Sequence, residues 1–268
     1  MRTTFSFEDD MELVQLARSY VDRGSRVSWT DIAHRMRRTG HTATALQGRL
    51  RTLMRTWGRD ISRSPPPASS RNVEQAVTTI FADIPREVIM NDQSKPHRNA
   101  GEVMPEGISA LLAEVGPLDG RDLFLDIGAG IGNVVAQVAL GTTVYQAIGI
   151  ELREDIHSLG AEMILRERTS LFRNDVAAVP IAYTPPFADS TVVYWNNVLF
   201  DTPVIEHVKD QLCGMTMIRF LVSCLNMCPR HREFCQSSFC ASFTLHKQLG
   251  LPCSWKAELQ QVFIYKPK

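Results

Sequence analysis

Residues 122–139 read Asp122-Leu-Phe-Leu-Asp-Ile-Gly-Ala-Gly-Ile-Gly-Asn-Val-Val-Ala-Gln-Val-Ala139. An apolar run that ends in an acid, a turn with three glycines and an apolar helical stretch predict a β-strand, a tight loop and the start of a helix. Glycines let the backbone of such a loop approach a ligand closely, and the helix N-terminus offers free N–H groups. This stretch therefore predicts an α/β fold with a parallel sheet and a ligand at the glycine turn.

The next strand-like run, residues 147–150, ends at Glu151. A carboxylate that closes the second strand of such a unit is placed to accept both ribose hydroxyls of an adenosine cofactor. The glycines occupy alternate positions from Gly128 to Gly132, which is tighter than the dinucleotide fingerprint G-x-G-x-x-G. This spacing, with Asp126 before it, is typical of S-adenosylmethionine methyltransferases and predicts S-adenosylmethionine as the cofactor.

Two later segments extend the pattern. The run 171–175 ends at Asp175, an acid suited to the adenine amino group, and the apolar run 191–195 leads directly into Asn196-Asn197. Because ligands bind at the carboxyl ends of parallel strands, these two amides are expected beside the transferred methyl group. A turn or a helix cap is the alternative interpretation of the paired amides.

Together these segments resemble the disruptor-of-telomeric-silencing family, the histone H3 lysine methyltransferases that lack a SET domain. The resemblance covers about residues 97–266 and rests on six stretches: Gly101-Glu102-Val103, residues 122–139, Gly149-Ile-Glu151, Asn174-Asp175-Val176, residues 192–197 and Ser254-Trp255. It implies a seven-stranded class I methyltransferase fold of the Rossmann-like type. It also implies methyl transfer to a lysine of the H3 globular core on nucleosomes, and hence a nuclear protein.

The candidate site residues follow from these motifs and from the resemblance. The cofactor set is Glu102, Asp126, Gly128, Gly130, Gly132, Gln137, Glu151, Asp175 and Asn196, and the catalytic set is Asn196, Asn197 and Glu102. The sequence departs from the family pattern at Ala100 and Val103, and the stretch 214–219 lacks the glycine pair expected before the fifth strand. Two alternatives therefore stay open: a methyltransferase of this fold with a non-histone substrate, and an inactive DNA-binding regulator.

A second module is expected before the proline- and serine-rich stretch 62–70. Three consecutive prolines cannot continue a helix, so the predicted organisation is a domain 1–61, a linker 62–71 and a methyltransferase domain 72–268. Apolar periodicity predicts three helices in the first domain. Phe7, Trp29 and the Arg49–Arg51 stretch resemble the Myb/SANT family, so this domain is expected to be a small three-helix bundle.

Charge is unevenly distributed although the whole chain has 29 basic and 29 acidic residues. Residues 24–60 contain eight arginines and two acids, and the third predicted helix has Arg49, Arg51 and Arg55 on its outward side. In the Myb/SANT family this helix enters the DNA major groove or the domain docks on histone tails, so the three arginines are candidate contacts for DNA or chromatin. A solvated arginine face is the alternative.

The remaining expectations concern compartment and metal. No apolar stretch long enough for a membrane helix is present, so no membrane partner is expected. The six cysteines lie between Cys213 and Cys253, and five residues there suggest a metal site: Cys224, Cys228, His231, Cys235 and Cys240. Because no C-x-x-C pair occurs and the residues fall in strand-like runs with opposite faces, the sequence predicts reduced thiols and no metal.

Overall fold

The structure of the protein, a computed structural model, describes residues 5, 7–22, 24–57, 70–84, 101–164, 168–229 and 235–268. The chain divides into two compact units, Met1–Ser69 and Ser70–Lys268. Their boundary falls inside the segment 62–71 predicted as a linker, of which residues 62–69 lie outside the described residues. In the described ranges, every helix is too short or too polar to cross a bilayer.

The first unit is helical where it is described, as the apolar periodicity predicts. Its α-helices are α1 (Phe7–Asp22), α2 (Trp29–Arg35) and α3 (Ala43–Trp57). Ser28 caps α2 by accepting a hydrogen bond from the Asp31 N–H. The core is formed by one apolar face of each helix: Leu13, Val14, Ala17, Ile32, Met36, Leu46 and Leu50.

One expectation for this unit is wrong. The Arg49 side chain does not simply point outward into solvent, because its guanidinium makes two hydrogen bonds to the Asp10 carboxylate, at 2.7 and 2.6 Å. The guanidinium carbon also lies 5.5 Å from the centroid of the Phe5 ring. Arg51 is exposed as expected, and the Arg55 side chain lies outside the described residues. Arg49 therefore ties α3 to α1.

The second unit alternates helices with strands. Its α-helices are α4 (Ser70–Ile80), α5 (Pro105–Val115), α6 (Asn133–Gly141), α7 (Glu154–Ile164), α8 (Thr202–Gly214) and α9 (Ser238–Ser242). Its strands are β1 (Leu123–Ile127), β2 (Gln146–Glu151), β3 (Thr169–Arg173), β4 (Val192–Trp195), β5 (Phe220–Ser223), β6 (Phe243–Leu251) and β7 (Gln260–Pro267).

The seven strands form one sheet in the order β3-β2-β1-β4-β5-β7-β6. The first five are parallel, and β7 runs antiparallel between β5 and β6. This order confirms the expected seven-stranded methyltransferase fold. The strand order reverses between β1 and β4, and open α/β sheets bind their ligands at such a reversal.

Both faces of the central strands are buried, which explains their continuous apolar sequences. Along β1, Phe124 packs into one apolar layer, whereas Leu125 and Ile127 pack into the layer on the opposite face. The register pairs Ile127 of β1 with Trp195 of β4. The residues that follow these two strands therefore emerge side by side at the same edge of the sheet.

Candidate active site

A cavity of about 390 Å³ opens at this edge of the sheet. That volume lies within the range of small-molecule and cofactor sites. Four predicted site residues contribute to its wall, and they come from the ends of four different strands: Gly128 after β1, Glu151 of β2, Asp175 after β3 and Asn196 after β4. The strand ends thus bring together residues that lie up to 68 positions apart.

The glycine loop has the backbone conformation that the sequence predicts. Gly128, Gly130 and Gly132 have φ angles of 78°, 56° and 82°, a left-handed region that disfavours side-chain-bearing residues. At Gly128 an added Cβ would lie 2.9 Å from the Phe200 ring, so a side chain here would also crowd the cavity wall. The loop therefore requires glycine for its turn and for its close approach to the cavity.

Glu151 is tied to this loop. One carboxylate oxygen accepts a hydrogen bond from the Gly130 N–H at 2.8 Å, and the other accepts one from the Arg153 N–H at 2.8 Å. Burial raises the pKa of Glu151 from its ordinary value, although these two hydrogen bonds work in the opposite direction. Each carboxylate oxygen can accept a further bond. Glu151 can therefore bind two ribose hydroxyls while it holds the loop.

Asp126 lies below this loop, fully buried at the end of β1. Its Oδ1 atom is buried and has no hydrogen-bond partner among the described residues. Desolvation raises the pKa of Asp126 well above 3.8, and the negative charge of Glu151 raises it further. Asp126 is absent from the residues that line the cavity. Its expected cofactor role is therefore at most indirect, through the loop and through Glu151.

We expect Asp126→Asn to remove a pH-dependent loss of stability. The pKa of the Asp126 carboxyl is higher in the folded state, so the folded protein holds the carboxyl proton more tightly than the unfolded protein does. The free energy of unfolding therefore falls as pH rises from about 3.8 through the folded-state pKa. One such group contributes a slope of at most about 1.4 kcal/mol per pH unit. Urea unfolding of both proteins between pH 5 and 9 measures it.

The matched control is Asp189→Asn, which removes a carboxylate from the short 3-10 helix Phe187–Asp189. This variant should keep the wild-type slope. If the free energy of unfolding had the same pH slope in the wild type and in Asp126→Asn, a raised pKa at Asp126 would be contradicted.

Asn196 has the geometry expected of a residue that meets a substrate. Its Nδ2 donates a hydrogen bond to the Gly101 carbonyl at 2.9 Å, which fixes the orientation of the amide. Its Oδ1 is buried and has no partner among the described residues. Because Asn196 lines the cavity, this acceptor is a candidate partner for a hydrogen-bond donor of a ligand.

Asn197 has a different role from the one expected. It is completely buried, and its Oδ1 accepts hydrogen bonds from Ser223 Oγ at 3.2 Å and from the Leu225 N–H at 3.0 Å. It does not line the cavity within the described part of the chain. The expectation of a catalytic Asn197 is therefore replaced by a structural role, in which it anchors the loop after β5.

The stretch around Glu102 forms the opposite wall. The Glu102 N–H donates to Ser254 Oγ at 3.1 Å, and the Ser254 N–H donates to the Glu102 carbonyl at 2.9 Å. Gly101 and Trp255 line the cavity, whereas Glu102 does not. The nearby Val103, one of the departures from the family pattern, is 1% exposed and belongs to the apolar core. Ala100 lies outside the described residues.

Two other expected cofactor residues also lie away from the cavity wall. Gln137 is buried in α6, where its Nε2 donates to the Pro105 carbonyl at 2.6 Å and to Ser109 Oγ at 3.1 Å. It therefore holds the start of α5, the helix that follows Glu102. A Cβ on Gly132 would meet Ile164 and Leu171 rather than the cavity, so this glycine serves helix packing.

Several wall residues are missing from the sequence-based set. The described wall also includes Trp255 and the stretch Val198–Asp201, which contributes Phe200 and Asp201. The Phe200 ring lies edge-on to Trp195 with centroids 5.6 Å apart. A signal for Phe200 and Asp201 was available, since they come three and four residues after the predicted Asn pair at a strand end.

The reasoning that excluded a metal is also wrong. Cys228 and Cys235 lie in loops and Cys240 lies in α9, so these residues are not strand positions with opposite faces. Their three sulfur atoms all lie within 4.8 Å of one another. His231 lies outside the described residues.

Two of the solved structures similar to this chain have titles that name a methyltransferase. A putative RNA methyltransferase from Pyrococcus horikoshii aligns with a TM-score of 0.49 and 12% identity, covering 75% of this chain and 98% of that one. Magnesium protoporphyrin IX methyltransferase from Synechocystis, solved with bound S-adenosylmethionine, aligns with a TM-score of 0.43 and 13% identity, covering 73% and 97%.

Curated relatives are larger proteins. A Kluyveromyces lactis protein named "Histone-lysine N-methyltransferase, H3 lysine-79 specific" is 25% identical over 142 residues, which is 48% of this chain and 24% of that protein. A Caenorhabditis elegans protein of the same name is 30% identical over 163 residues, 54% of this chain and 17% of that protein. The chain thus matches about a quarter or less of each relative's length.

The family model described as "Histone methylation protein DOT1" matches residues 93–248. This segment is more than half of the chain, and it contains the glycine loop, Glu151, Asp175 and Asn196. The chain therefore belongs to the DOT1 family of histone methylation proteins.

Proposed function

We propose that this protein is a nuclear histone-lysine N-methyltransferase that transfers a methyl group from S-adenosylmethionine to a lysine of the histone H3 core on nucleosomes. The observation that carries the proposal is the position of Asn196 at the wall of a cavity that Glu151 and Asp175 also line. The Asn196 amide is oriented by the Gly101 carbonyl, and its Oδ1 has no partner among the described residues. Membership of the DOT1 family and the names of two relatives support histone H3 as the substrate.

The cavity fits the proposed cofactor chemically. Bound there, S-adenosylmethionine supplies an activated methyl group on a positively charged sulfur. Glu151 offers carboxylate oxygens to the ribose, and Asp175 offers an acceptor to the adenine amino group. One Asp175 oxygen also accepts a hydrogen bond from the Ala177 N–H at 2.9 Å, which fixes that carboxylate at the cavity wall.

The substrate lysine must lose a proton before it can react, since its ordinary pKa is about 10.4. Transfer to an apolar cavity disfavours the charged ammonium and lowers this pKa. Trp255, Phe200 and Val198 provide such surroundings. Asn196 Oδ1 can then accept a hydrogen bond from the neutral amine, which leaves the nitrogen lone pair free for the methyl group. Catalysis is then mainly alignment of the reacting atoms.

The direct test is methyl transfer from labelled S-adenosylmethionine to nucleosomes, free histones and an unrelated lysine-rich protein. We expect label on histone H3 in nucleosomes, and a control with Asn196→Ala excludes a contaminating enzyme. Label on the unrelated protein alone would indicate the non-histone alternative. Cofactor binding without label on any of the three would indicate the inactive regulator.

We also propose that the first unit binds DNA or chromatin. The supporting observation is that several of its arginines are exposed, among them Arg26, Arg37 and Arg51. Two others form ion pairs inside the unit, namely Arg38 with Glu12 and Arg49 with Asp10. We therefore propose Arg37 and Arg51 as the DNA contacts. For Arg49 the main role that we propose is the ion pair with Asp10, which joins α3 to α1.

Charge reversal at Arg37 and Arg51 together should weaken DNA binding and flatten its salt dependence. Each lost phosphate contact removes about 0.9 from the slope of log affinity against log salt, so the slope should fall by about 2. Titration of a DNA duplex at several salt concentrations measures it. A matched double charge reversal in the second unit, Arg121→Glu with Arg173→Glu, should keep the wild-type slope. If the two double variants had equal slopes, Arg37 and Arg51 would be solvent-exposed residues that do not bind DNA.

A further inference from the structure

Three cysteines converge beyond the end of β5, away from the residues used above. Cys228 lies in the loop after that strand, Cys235 lies just before α9, and Cys240 lies within α9. The sulfurs of Cys228 and Cys235 are 3.7 Å apart, and all three sulfurs lie within 4.8 Å of one another. The three side chains are reduced thiols.

The spacing of the sulfurs matches a tetrahedral metal site. Zinc binds thiolates at about 2.3 Å, so two sulfurs on a tetrahedral zinc ion lie about 3.8 Å apart. The distance of 3.7 Å between the Cys228 and Cys235 sulfurs agrees with this sulfur–sulfur separation. The Cys240 sulfur lies within 4.8 Å of the other two, so it needs to move by at most about an ångström. Thiolates select soft, thiophilic ions such as zinc.

The surroundings explain why a cation would be favoured there. Cys240 is 6% exposed and packs in the apolar layer on one face of the sheet, together with the half-buried Cys228 and Cys235. A bound divalent ion displaces the thiol protons to solvent and stabilises the thiolates in these apolar surroundings.

The loop that carries Cys228 is also held in place. The Tyr265 hydroxyl of β7 accepts a hydrogen bond from the Met227 N–H at 3.0 Å. Asn226 Oδ1 accepts one from the Cys228 N–H at 3.0 Å. Such outer contacts fix the direction of a metal ligand before the ion arrives.

We propose that Cys228, Cys235 and Cys240 form a structural site for a thiophilic divalent metal ion, with zinc as the ion to be tested. The described residues supply three thiolate ligands of this site. Binding releases one proton from each thiol that becomes a thiolate. The ion would join Cys228, which follows β5, to Cys235 and Cys240 at the start of α9 and within it.

The test uses the full chain, purified under reducing conditions and dialysed against zinc. Metal content is measured by mass spectrometry, and affinity by competition with a coloured zinc chelator. Replacement of zinc with cobalt(II) adds an optical signature, because thiolate ligands produce a charge-transfer band in the near ultraviolet. We expect about one zinc per chain, a thiolate band with cobalt and a higher melting temperature with metal.

The variants are Cys228→Ser and Cys235→Ser, both at half-buried positions where the fold is expected to survive. Each should lower zinc affinity at least about 100-fold, whereas Cys213→Ser, a free cysteine outside the cluster, should bind zinc like the wild type. Circular dichroism checks that each variant is folded. Zinc content below a tenth of an equivalent in the wild type, or equal affinity in all variants, would overturn the proposal. So would a Cys228–Cys235 disulfide, detected as the loss of two hydrogens by mass, in protein that was never exposed to oxidant.

Discussion

Asn196→Ala should lower the rate of methyl transfer about 100- to 1000-fold while the affinity for S-adenosylmethionine changes less than about threefold. Removal of one preorganised hydrogen-bonding group from an active site typically costs this much, because the interaction is strongest in the transition state. In this protein the amide is already oriented by the Gly101 carbonyl, so its Oδ1 needs no reorganisation to meet the amine. Single-turnover kinetics with saturating cofactor measure the chemical step.

The matched control is Asn174→Ala, which removes another asparagine amide from the same cavity wall, next to Asp175. Because Asn174 lies at the Asp175 end of the cavity, Asn174→Ala should lower mainly the affinity for S-adenosylmethionine. Its single-turnover rate should stay near the wild-type value. If Asn196→Ala instead lost cofactor binding and kept its rate at saturation, Asn196 would belong to the cofactor site rather than to the lysine site.

Glu151→Ala should weaken S-adenosylmethionine binding at least about 100-fold. Two hydrogen bonds from ribose hydroxyls to a carboxylate contribute about 1.5–3 kcal/mol each, and every 1.4 kcal/mol corresponds to a factor of ten. The variant also frees the Gly130 N–H, which loosens the glycine loop in the same direction. Isothermal titration calorimetry measures the affinity, and Glu154→Ala, an exposed carboxylate three residues later, should bind like the wild type.

The pH dependence of binding gives a second readout for the same residue. The ribose hydroxyls need the ionised carboxylate, and burial raises the pKa of Glu151. Affinity should therefore be constant at high pH and fall as pH is lowered through this raised pKa, at a pH above that of an ordinary glutamate. An affinity that is independent of pH from 5 to 8 would contradict ribose recognition by Glu151.

The parts of the fold that the sequence predicts well are local in the chain. A strand buried on both faces has a continuous apolar run, and the glycine turn follows it directly, so residues 122–139 suffice for β1, its loop and the start of α6. The carboxylates at Glu151 and Asp175 and the amide at Asn196 were predicted for the same reason, since each stands at the end of a recognisable strand, and the structure places all three at one cavity. Parallel strands then bring their carboxyl ends together at one edge.

The errors concern residues whose partners are distant in the sequence. In the sequence, Asn197 is indistinguishable from Asn196. In the structure, the amide oxygen of Asn197 accepts a hydrogen bond from Ser223, which lies 26 residues later. The sequence predicts that Arg49 points into solvent. In the structure its guanidinium donates hydrogen bonds to Asp10, which lies 39 residues earlier. The convergence of Cys228, Cys235 and Cys240 depends on the path of a loop, which neither periodicity nor spacing specifies.

The pairing of Glu102 with Ser254 joins residues 152 positions apart, and it sets Trp255 into the cavity wall. On the ribosome, at roughly 5–20 residues per second, the later partner is made about 8–30 s after the earlier one. From the synthesis of Asn196 to that of Ser254, the nascent chain has the glycine loop, Glu151 and Asn196 but lacks one wall of the cavity. It also lacks the strand β7, which lies between β5 and β6 in the sheet. The growing chain therefore has an uncovered sheet edge until β7 is made, and we expect tight cofactor binding only after synthesis has passed Trp255.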